Sequence, residues 1–281
     1  MFKKSAYRIY FLEKRVLRAN KKDPFLKKEF ERFKKVHCEH DVALHRVKSV
    51  LKELHIDYTE AYRGHLRNFS KYDLIITVGG DGTFLEAARK SKGLVLLGVN
   101  SVPHHSVGHF CLARVDNFKK IMGRILAGRY RLIYLQRLRL HLPSSSTHVD
   151  ALNDILICHE NPASLCRYHL KVGKREEAQR SSGLWIASAA GSTGAIHSAG
   201  GKKLPLSAKH FQYWPRELYQ GLLKPYHLKG GILPLSTAVK VTSLMPRGMI
   251  FVDGAHRKMA FPFGRRAIIA LSPQPIRTIK V

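Results

Sequence analysis

The sequence predicts an open, mostly parallel α/β domain followed by a mostly antiparallel β-sandwich. Three observations carry this expectation. The run Leu74-Ile75-Ile76-Thr77-Val78 is a short apolar strand that passes through Gly79, Gly80, Asp81 and Gly82 into the helix formers Phe84, Leu85, Ala87 and Ala88. A second near-continuous apolar strand, Leu94 to Val99, follows and ends at Asn100, the pattern of strands covered by helices on both faces. From about Ile133 onward, strand-like segments alternate with turn residues and no long helical pattern intervenes.

Taken in order, Tyr7 to Leu12 clusters β-formers and reads as a first strand, followed by a basic stretch. Asp23-Pro24 is a helix start, with Asp23 as N-cap and Pro24 at the first helical position. Phe25, Phe30 and Phe33 mark that helix, and Val42, Leu44, Val47, Val50, Leu51 and Leu54 mark a second one. Ile56-Asp57-Tyr58 reads as a short strand leading to Arg63, and Leu74–Val78 is the next. Thr83 is placed as N-cap of the helix after the glycines. In open α/β sheets ligands sit beyond the carboxyl ends of the strands, where Gly79–Gly82 and Asn100 both fall. In the second half, Tyr134–Leu142, Ala151–Ile157, Tyr168–Val172, Leu184–Ala189, Ala238–Thr242, Met249–Asp253 and Ala267–Leu271 read as strands. Phe211–Tyr219 reads as one short helix and Pro143–His148 as a loop.

Composition narrows the partners. Lys and Arg number 49 against 20 Asp and Glu, a formal charge of +29 with His neutral. Such an excess favours polyanions, whether nucleotides, polyphosphate, RNA or an acidic membrane, while a compartment that tolerates basic surfaces explains it equally well. The basic residues run from Lys3 to Lys280 with no separate arm, so nucleic acid is not expected as a partner. No run approaches the roughly 18–20 apolar residues that span a bilayer, so no membrane is expected either. Cys38, Cys111, Cys158 and Cys166 have no C-x-x-C spacing, which points to a reducing compartment. The start lacks an apolar secretory core. It is basic, as a mitochondrial presequence would be, but Tyr7–Leu12 as a strand leaves little room for one. The expected location is cytoplasmic, with the mitochondrial matrix as the alternative in a eukaryote.

Three stretches carry chemistry. Gly79-Gly80-Asp81-Gly82-Thr83 joins a strand to a helix, and the helix start is an anion site built from backbone N–H groups and the helix dipole. Asp81 repels a bare phosphate there, so it calls for a metal, a proton to abstract or a hydroxyl to bind; the combination points to phosphoryl transfer to a hydroxyl. Asn153-Asp154 interrupts an apolar strand, and the two side chains reach one ligand only at a strand end or bulge. Gly191-Ser192-Thr193-Gly194-Ala195, followed by Ser198-Ala199-Gly200-Gly201, lets backbone approach a planar ligand; it also fits a plain glycine-rich hairpin. Asp253-Gly254 reads as a two-residue hairpin turn. His104, His105, His109 and Cys111 lack a second ligand pair for zinc. Ser192 lacks the G-x-S-x-G elbow of a hydrolase.

In series, these motifs resemble the NAD kinases over roughly Asp73 to the C-terminus. Gly98-Val99-Asn100-Ser101, Gly108-His109-Phe110-Cys111, Asn161-Pro162-Ala163 and Ser181-Ser182-Gly183-Leu184 look like the branch holding plant NADH kinase, close to the mitochondrial NAD kinases. The resemblance implies an N-terminal α/β domain over residues 1–115 with a returning tail at 265–281, and a β-rich domain over 116–264. It implies phosphorylation of the adenosine ribose 2′-hydroxyl of NAD+ or NADH by ATP, or by polyphosphate, with a substrate-borne divalent metal, Mg2+ first. Asp81 would take or orient the hydroxyl proton. Gly79, Gly80, Gly82, Thr83 and Asn100 would serve the phosphates. Asn153, Asp154, Ser182, Thr193, Ala195, Ser198 and Asp253 would serve the dinucleotide. A homodimer or homotetramer is implied.

Three departures from the family stand out. Ala195 occupies a position often held by Tyr, Ser182 one often held by Asp, and Lys202 one often held by Pro. A neutral Ser182 would remove an attraction for oxidised nicotinamide and favour NADH. Two rivals share features: lipid kinases of the diacylglycerol or sphingosine type carry the same glycine–Asp turn, and a basic nucleic-acid-binding protein would explain the charge.

Overall fold

The structure, a computed structural model, describes residues 1–280 except 3, 14–22, 63–68, 70, 92, 146, 222–224 and 256. Arg63 and most of the basic stretch after Leu12 therefore lie outside the described residues. The helices are α1 (Pro24–Glu53), α2 (Asp81–Lys90), α3 (Phe118–Leu126) and the short α4 (Ala195–Ser198). The strands begin with β1 (Leu74–Gly79), β2 (Val95–Asn100), β3 (Ala113–Arg114), β4 (Arg131–Leu135), β5 (Leu138–Leu142) and β6 (Thr147–Ala151). They continue with β7 (Asp154–His159), β8 (Cys166–Val172), β9 (Arg175–Ser181), β10 (Gly183–Ser188), β11 (His210–Arg216) and β12 (Gly231–Pro234). The last are β13 (Val239–Ser243), β14 (Gly248–Val252), β15 (Lys258–Ala260), β16 (Arg266–Leu271) and β17 (Ile276–Lys280).

Two units emerge, Met1–Ile133 with Arg277–Val281, and Tyr134–Ile276. The first holds a sheet ordered β1-β2-β17-β4, with β3 on β2. β1 and β2 run parallel in a register that sets Gly79 beside Asn100 at their carboxyl ends. Met1 and Phe2 lie along the outer edge of β1, where the Val78 N–H donates to the Met1 carbonyl at 2.8 Å and Phe2 bridges Tyr62 and Val78. Phe2, Val47, Leu51, Leu97, Phe118 and Ile121 belong to one buried core.

The second unit is a sandwich of two antiparallel six-stranded sheets, β12-β11-β10-β7-β14-β15 and β6-β5-β16-β13-β8-β9. Leu140, Ile155, Ile157, Leu170, Ile186 and Ile269 are fully buried in one core between them. Alternation does this: in β5 the leucines at 138, 140 and 142 point inward while Arg139 and His141 stay half-buried on the outer face.

Several expectations change. Tyr7–Leu12 is no strand: Arg8–Glu13 is a wide helical turn, and Tyr7 and Phe11 stack edge-on against Phe30 of α1. The two helices expected between 23 and 54 are one helix of 30 residues, capped as foreseen by Asp23, whose carboxylate accepts from the N–H groups of Phe25 and Leu26. Its buried positions, His40, Ala43, Val47 and Leu51, recur every three to four residues, a single stripe against the sheet. Residues 56–58 form no strand. Phe211–Tyr219 is not a helix but mostly β11, because Phe211 and Tyr213 alternate into the sandwich core. The unit boundary falls at 133/134 rather than 115, since α3 packs Phe118, Ile121 and Met122 into the first core. The returning tail starts at Arg277 rather than 265, since β16 pairs with β13 and β5 inside the sandwich.

Leu140→Ala should cost about 2–5 kcal/mol, the range for emptying a closed core site. Val42→Ala, on the exposed side of α1, should stay within about 0.5 kcal/mol. Urea denaturation of both variants checks the contrast.

Candidate active site

In the first unit, the strand–turn–helix forms as expected, with a different cap. Gly80, not Thr83, is the N-cap of α2, and no side chain caps it. The backbone amides at this positive helix end are therefore directed at whatever anion approaches. Asp81 opens the helix, yet its carboxylate is turned away from the helix amides and accepts the Phe110 N–H at 2.8 Å. The segment after β2 is folded onto the turn. The Ser101 N–H donates to the Gly79 carbonyl at 3.1 Å. Asn100 accepts the Val102 N–H and donates to the Ser106 carbonyl, each at 3.1 Å. The rings of Phe84 and Phe110 stack with centroids 5.3 Å apart.

The crowding explains the glycines. A Cβ on Gly79 would stand 2.4 Å from the Thr83 hydroxyl, one on Gly80 2.5 Å from that of Ser106, and one on Gly108 2.2 Å from the Asn100 amide nitrogen. The Thr83 hydroxyl is buried and has no hydrogen-bond partner, which leaves a polar group at the first helical turn for a ligand to satisfy. Gly82 is exposed on α2. A cavity of about 770 Å3 in the same unit is lined by Phe2, Leu51 and Ile76 among others, and by none of the residues of the turn; the chemistry rests with the turn.

In the sandwich, Asn153 and Asp154 sit at a bend where β7 begins, the strand-end arrangement that lets both serve one ligand. The Asn153 amide donates to the Asp154 carboxylate at 2.9 Å. Asp253 makes this bend. Its carboxylate accepts the N–H groups of Leu152 at 3.1 Å, Asn153 at 2.7 Å and Asp154 at 3.3 Å. Asp253 is thus more than a turn residue, and the link from Val252 to Lys258 is longer than two residues. Its φ of 50° and the 96° of Gly254 hold the left-handed backbone there. Burial, first, and the nearby Asp253 carboxylate push the Asp154 pKa up to about 7, against the pull of the Asn153 hydrogen bond.

Gly191 is packed onto the same bend: a Cβ there would lie 1.9 Å from the Asn153 carbonyl oxygen. Gly194 also faces the pair, its Cβ direction meeting the Asn153 amide at 3.4 Å and the Asp154 carboxylate at 3.7 Å. Thr193 and Ala195, on either side of it, are exposed, as is Ser198 on α4. Ser192 is buried and exchanges hydrogen bonds with the backbone of Leu204, so it builds the loop. Lys202 has a physical reason to differ from proline: its N–H donates to the Gln212 side chain at 2.9 Å, a bond proline cannot make. Ser182 does not join the cluster within one chain. Ala187 pairs with Asp154, and Ser182 precedes it by 187 − 182 = 5 residues, roughly 16 Å along β10. Sequence reasoning quoted Ser101 and Phe110 only as marks of a family branch and gave them no part in shaping the turn, and it missed Ser106 altogether.

A parallel strand that ends in a glycine turn with a carboxylate at the helix start, together with an antiparallel sandwich unit, defines a nucleotide-binding kinase fold. Residues 6–130 match the family described as ATP-NAD kinase N-terminal domain. The chain is 33% identical over 242 residues to a probable NADH kinase of Oryza sativa subsp. japonica, covering 77% of this chain and 74% of that protein. Among solved structures, yeast NADH kinase complexed with NADH matches at a TM-score of 0.66 and 20% identity, over 75% of this chain and 62% of that one. An NAD kinase from Archaeoglobus fulgidus in complex with ATP matches at 0.68 and 23%, over 84% and 88%. The chain belongs to the NAD kinase family.

The raised Asp154 pKa gives a signed pH prediction. A carboxyl that binds its proton more tightly when folded contributes stability that is fully present below the ordinary value of about 4. That contribution is lost as pH rises through about 7. Asp154→Asn should flatten the fall in thermal stability across this window, as read by melting curves at a series of pH values.

Proposed function

We propose that this protein transfers the terminal phosphoryl group of ATP to the adenosine ribose 2′-hydroxyl of NAD(H), giving NADP(H). The observation that carries the reading is the Asp81 carboxylate, tied to the Phe110 N–H at the uncapped start of α2. One oxygen is oriented by that bond, and the carboxylate stands where phosphate-binding amides begin. A hydroxyl brought there meets a base or hydrogen-bond acceptor beside an anion site, the two groups that phosphoryl transfer to an alcohol needs. Gly79, Gly80, Gly82 and Thr83 would hold the phosphates. Asn100 would keep the covering segment in place. Asn153 and Asp154 would hydrogen-bond the dinucleotide hydroxyls, with Thr193, Ala195 and Ser198 beside them and Asp253 fixing their backbone. Diacylglycerol-type and sphingosine-type lipid kinases are not favoured.

A divalent ion fits best as cargo of the ATP triphosphate. Among the described residues, no three His, Cys, Asp or Glu side chains gather to hold one. Bound there, it would neutralise phosphate charge during transfer. No helix among the described residues is long and apolar enough to cross a membrane.

Asp81→Ala should abolish turnover, a loss of at least about 100-fold in kcat for a positioned base, while the protein stays folded, with a melting temperature lowered by no more than the loss of the Phe110 N–H acceptor explains. A coupled assay of NADP(H) formation with NAD+ or NADH against ATP or polyphosphate tests the reading. Absence of product in all four pairings would overturn it.

Self-association is proposed from the outer face of the sheet that carries β7 and β10. Phe251, Leu156, Trp185 and Trp214 form one half-buried apolar row across β14, β7, β10 and β11, chemistry suited to a second copy of the chain. Sedimentation should find at least a dimer, and Phe251→Glu should shift it toward monomer.

A further inference from the structure

The segment between β2 and β3 lies over the start of α2, and its position is set from several sides. His40, buried on α1, has its Nδ1 2.8 Å from the Ser101 hydroxyl, and the Ser101 N–H donates to the Gly79 carbonyl at 3.1 Å. The Asn100 amide donates to the Ser106 carbonyl at 3.1 Å, and its oxygen accepts the Val102 N–H. The His105 N–H closes a turn onto the Val102 carbonyl at 3.0 Å. Ser106 is carried to a fixed place by these bonds, and none of them uses its hydroxyl.

That hydroxyl stands over Gly80. A Cβ on Gly80 would lie 2.5 Å from it, so the bare Cα of the N-cap residue is what admits it. Among the described residues the Ser106 hydroxyl makes no hydrogen bond. On the neighbouring glycine, the Thr83 hydroxyl lies 2.4 Å from where a Gly79 Cβ would be; it is buried without a partner on a residue 1% exposed. The Thr83 N–H turns back to the Gly80 carbonyl at 2.9 Å, while the N–H groups of Asp81 and Gly82 donate to nothing among the described residues. Two hydroxyls and two amides thus lack acceptors at the start of one helix. Unpaired buried donors are costly, and a phosphate, with several anionic oxygens at a positive helix end, satisfies them together.

The kind of donor fits its neighbour. A lysine or arginine over Gly80 would pair with the Asp81 carboxylate and weaken it as a proton acceptor. A hydroxyl donates to phosphate and leaves that charge in place.

We propose that Ser106 is a phosphate-binding residue of the active site, its hydroxyl donating to a non-bridging oxygen of a phosphate chain seated at the start of α2. The inference rests on the NAD(H) kinase reading for the identity of that chain, which is the triphosphate of the donor or the pyrophosphate of the dinucleotide. It gives the segment after β2 a direct hand in binding, where the crowding of the glycines alone gives it a steric one.

Steady-state kinetics with ATP and NAD+ or NADH varied in turn tests it, on the parent, Ser106→Ala, Ser106→Thr and Val107→Ala. Ser106→Ala should raise the KM for one of the two nucleotides roughly tenfold or more, the scale of a lost hydrogen bond to a charged group, and leave the other KM unchanged. The nucleotide affected identifies the phosphate chain. Ser106→Thr keeps a hydroxyl and should recover most of the loss. Val107→Ala, at an exposed position of the same segment, should change neither KM. Because the Ser106 hydroxyl bonds to nothing in the protein, Ser106→Ala without ligand should melt close to the parent's temperature. A second arm needs no turnover: sodium tripolyphosphate should raise the parent's melting temperature, and Ser106→Ala should need about tenfold more of it for the same rise. A parent that forms no NADP(H) but shows this Ser106-dependent protection would overturn the kinase reading and uphold Ser106 as a phosphate ligand. Unchanged KM values in Ser106→Ala, an equal rise in both, an equal effect of Val107→Ala, or tripolyphosphate protection independent of Ser106 would overturn the proposal.

Discussion

The hydrogen bond from the Phe110 N–H to the Asp81 carboxylate is the constraint on which the first unit's chemistry depends. A carboxylate at the first position of a helix ordinarily settles on the helix's own amides. Here a distant amide holds it instead, so the start of α2 carries no side-chain cap. That geometry requires the segment after β2 to lie close against the turn, and Asn100 shapes that segment from the end of its strand. The glycines at 79, 80 and 108 are the positions where a methyl group would push the two apart. Carboxylate, helix end and covering segment are therefore one arrangement, and each glycine protects it sterically rather than by flexibility.

The second unit divides the work of two acids. Asp253 uses both oxygens on three backbone amides and so becomes part of the scaffold. Asp154, one bend away, is buried beside that charge and holds its proton up to about pH 7. A carboxyl that is neutral over part of the physiological range can donate as well as accept, which suits hydrogen bonding to a ribose hydroxyl. The cost of burying it is tolerable because Asn153 supplies one partner. Remove Asp253, and the bend goes with it, together with the smaller, charge-to-charge part of the raised pKa, burial supplying the larger part.

How much of this was legible depends on the range of the forces involved. β1, its turn and α2 could be read because apolar run, glycines and helix formers follow one another within sixteen residues, and the Asp23 cap is equally local. β11 was misread because Phe211 to Tyr219 has mixed periodicity, and only pairing with Gly183–Ser188 makes it a strand. The unit boundary was misplaced for a similar reason, since α3's apolar face declares its core only in three dimensions. Asp253 looked like a turn because its partners lie about a hundred residues earlier. Lys202 had no meaning until Gln212 was found beside its N–H. The motifs themselves survived better than the secondary structure around them, because they mark steric and hydrogen-bonding demands that few residue types meet.

The net charge follows the same logic of distance. Along the chain it is featureless, and a composition-level argument finds no arm to assign it to. The sandwich sorts it. Its period-two strands send leucines, valines and isoleucines to one core, and what remains on the two outer faces is free to differ. One face collects tryptophan, leucine and phenylalanine in a row, and the other collects arginine and lysine in opposed pairs. The fully buried aliphatic core between the sheets offsets the repulsion on the charged side. A core of this size folds with those charges on its surface, and Glu176 already compensates Lys171 within one opposed pair, so period-two alternation leaves the two outer faces free to differ without cost to the core between them.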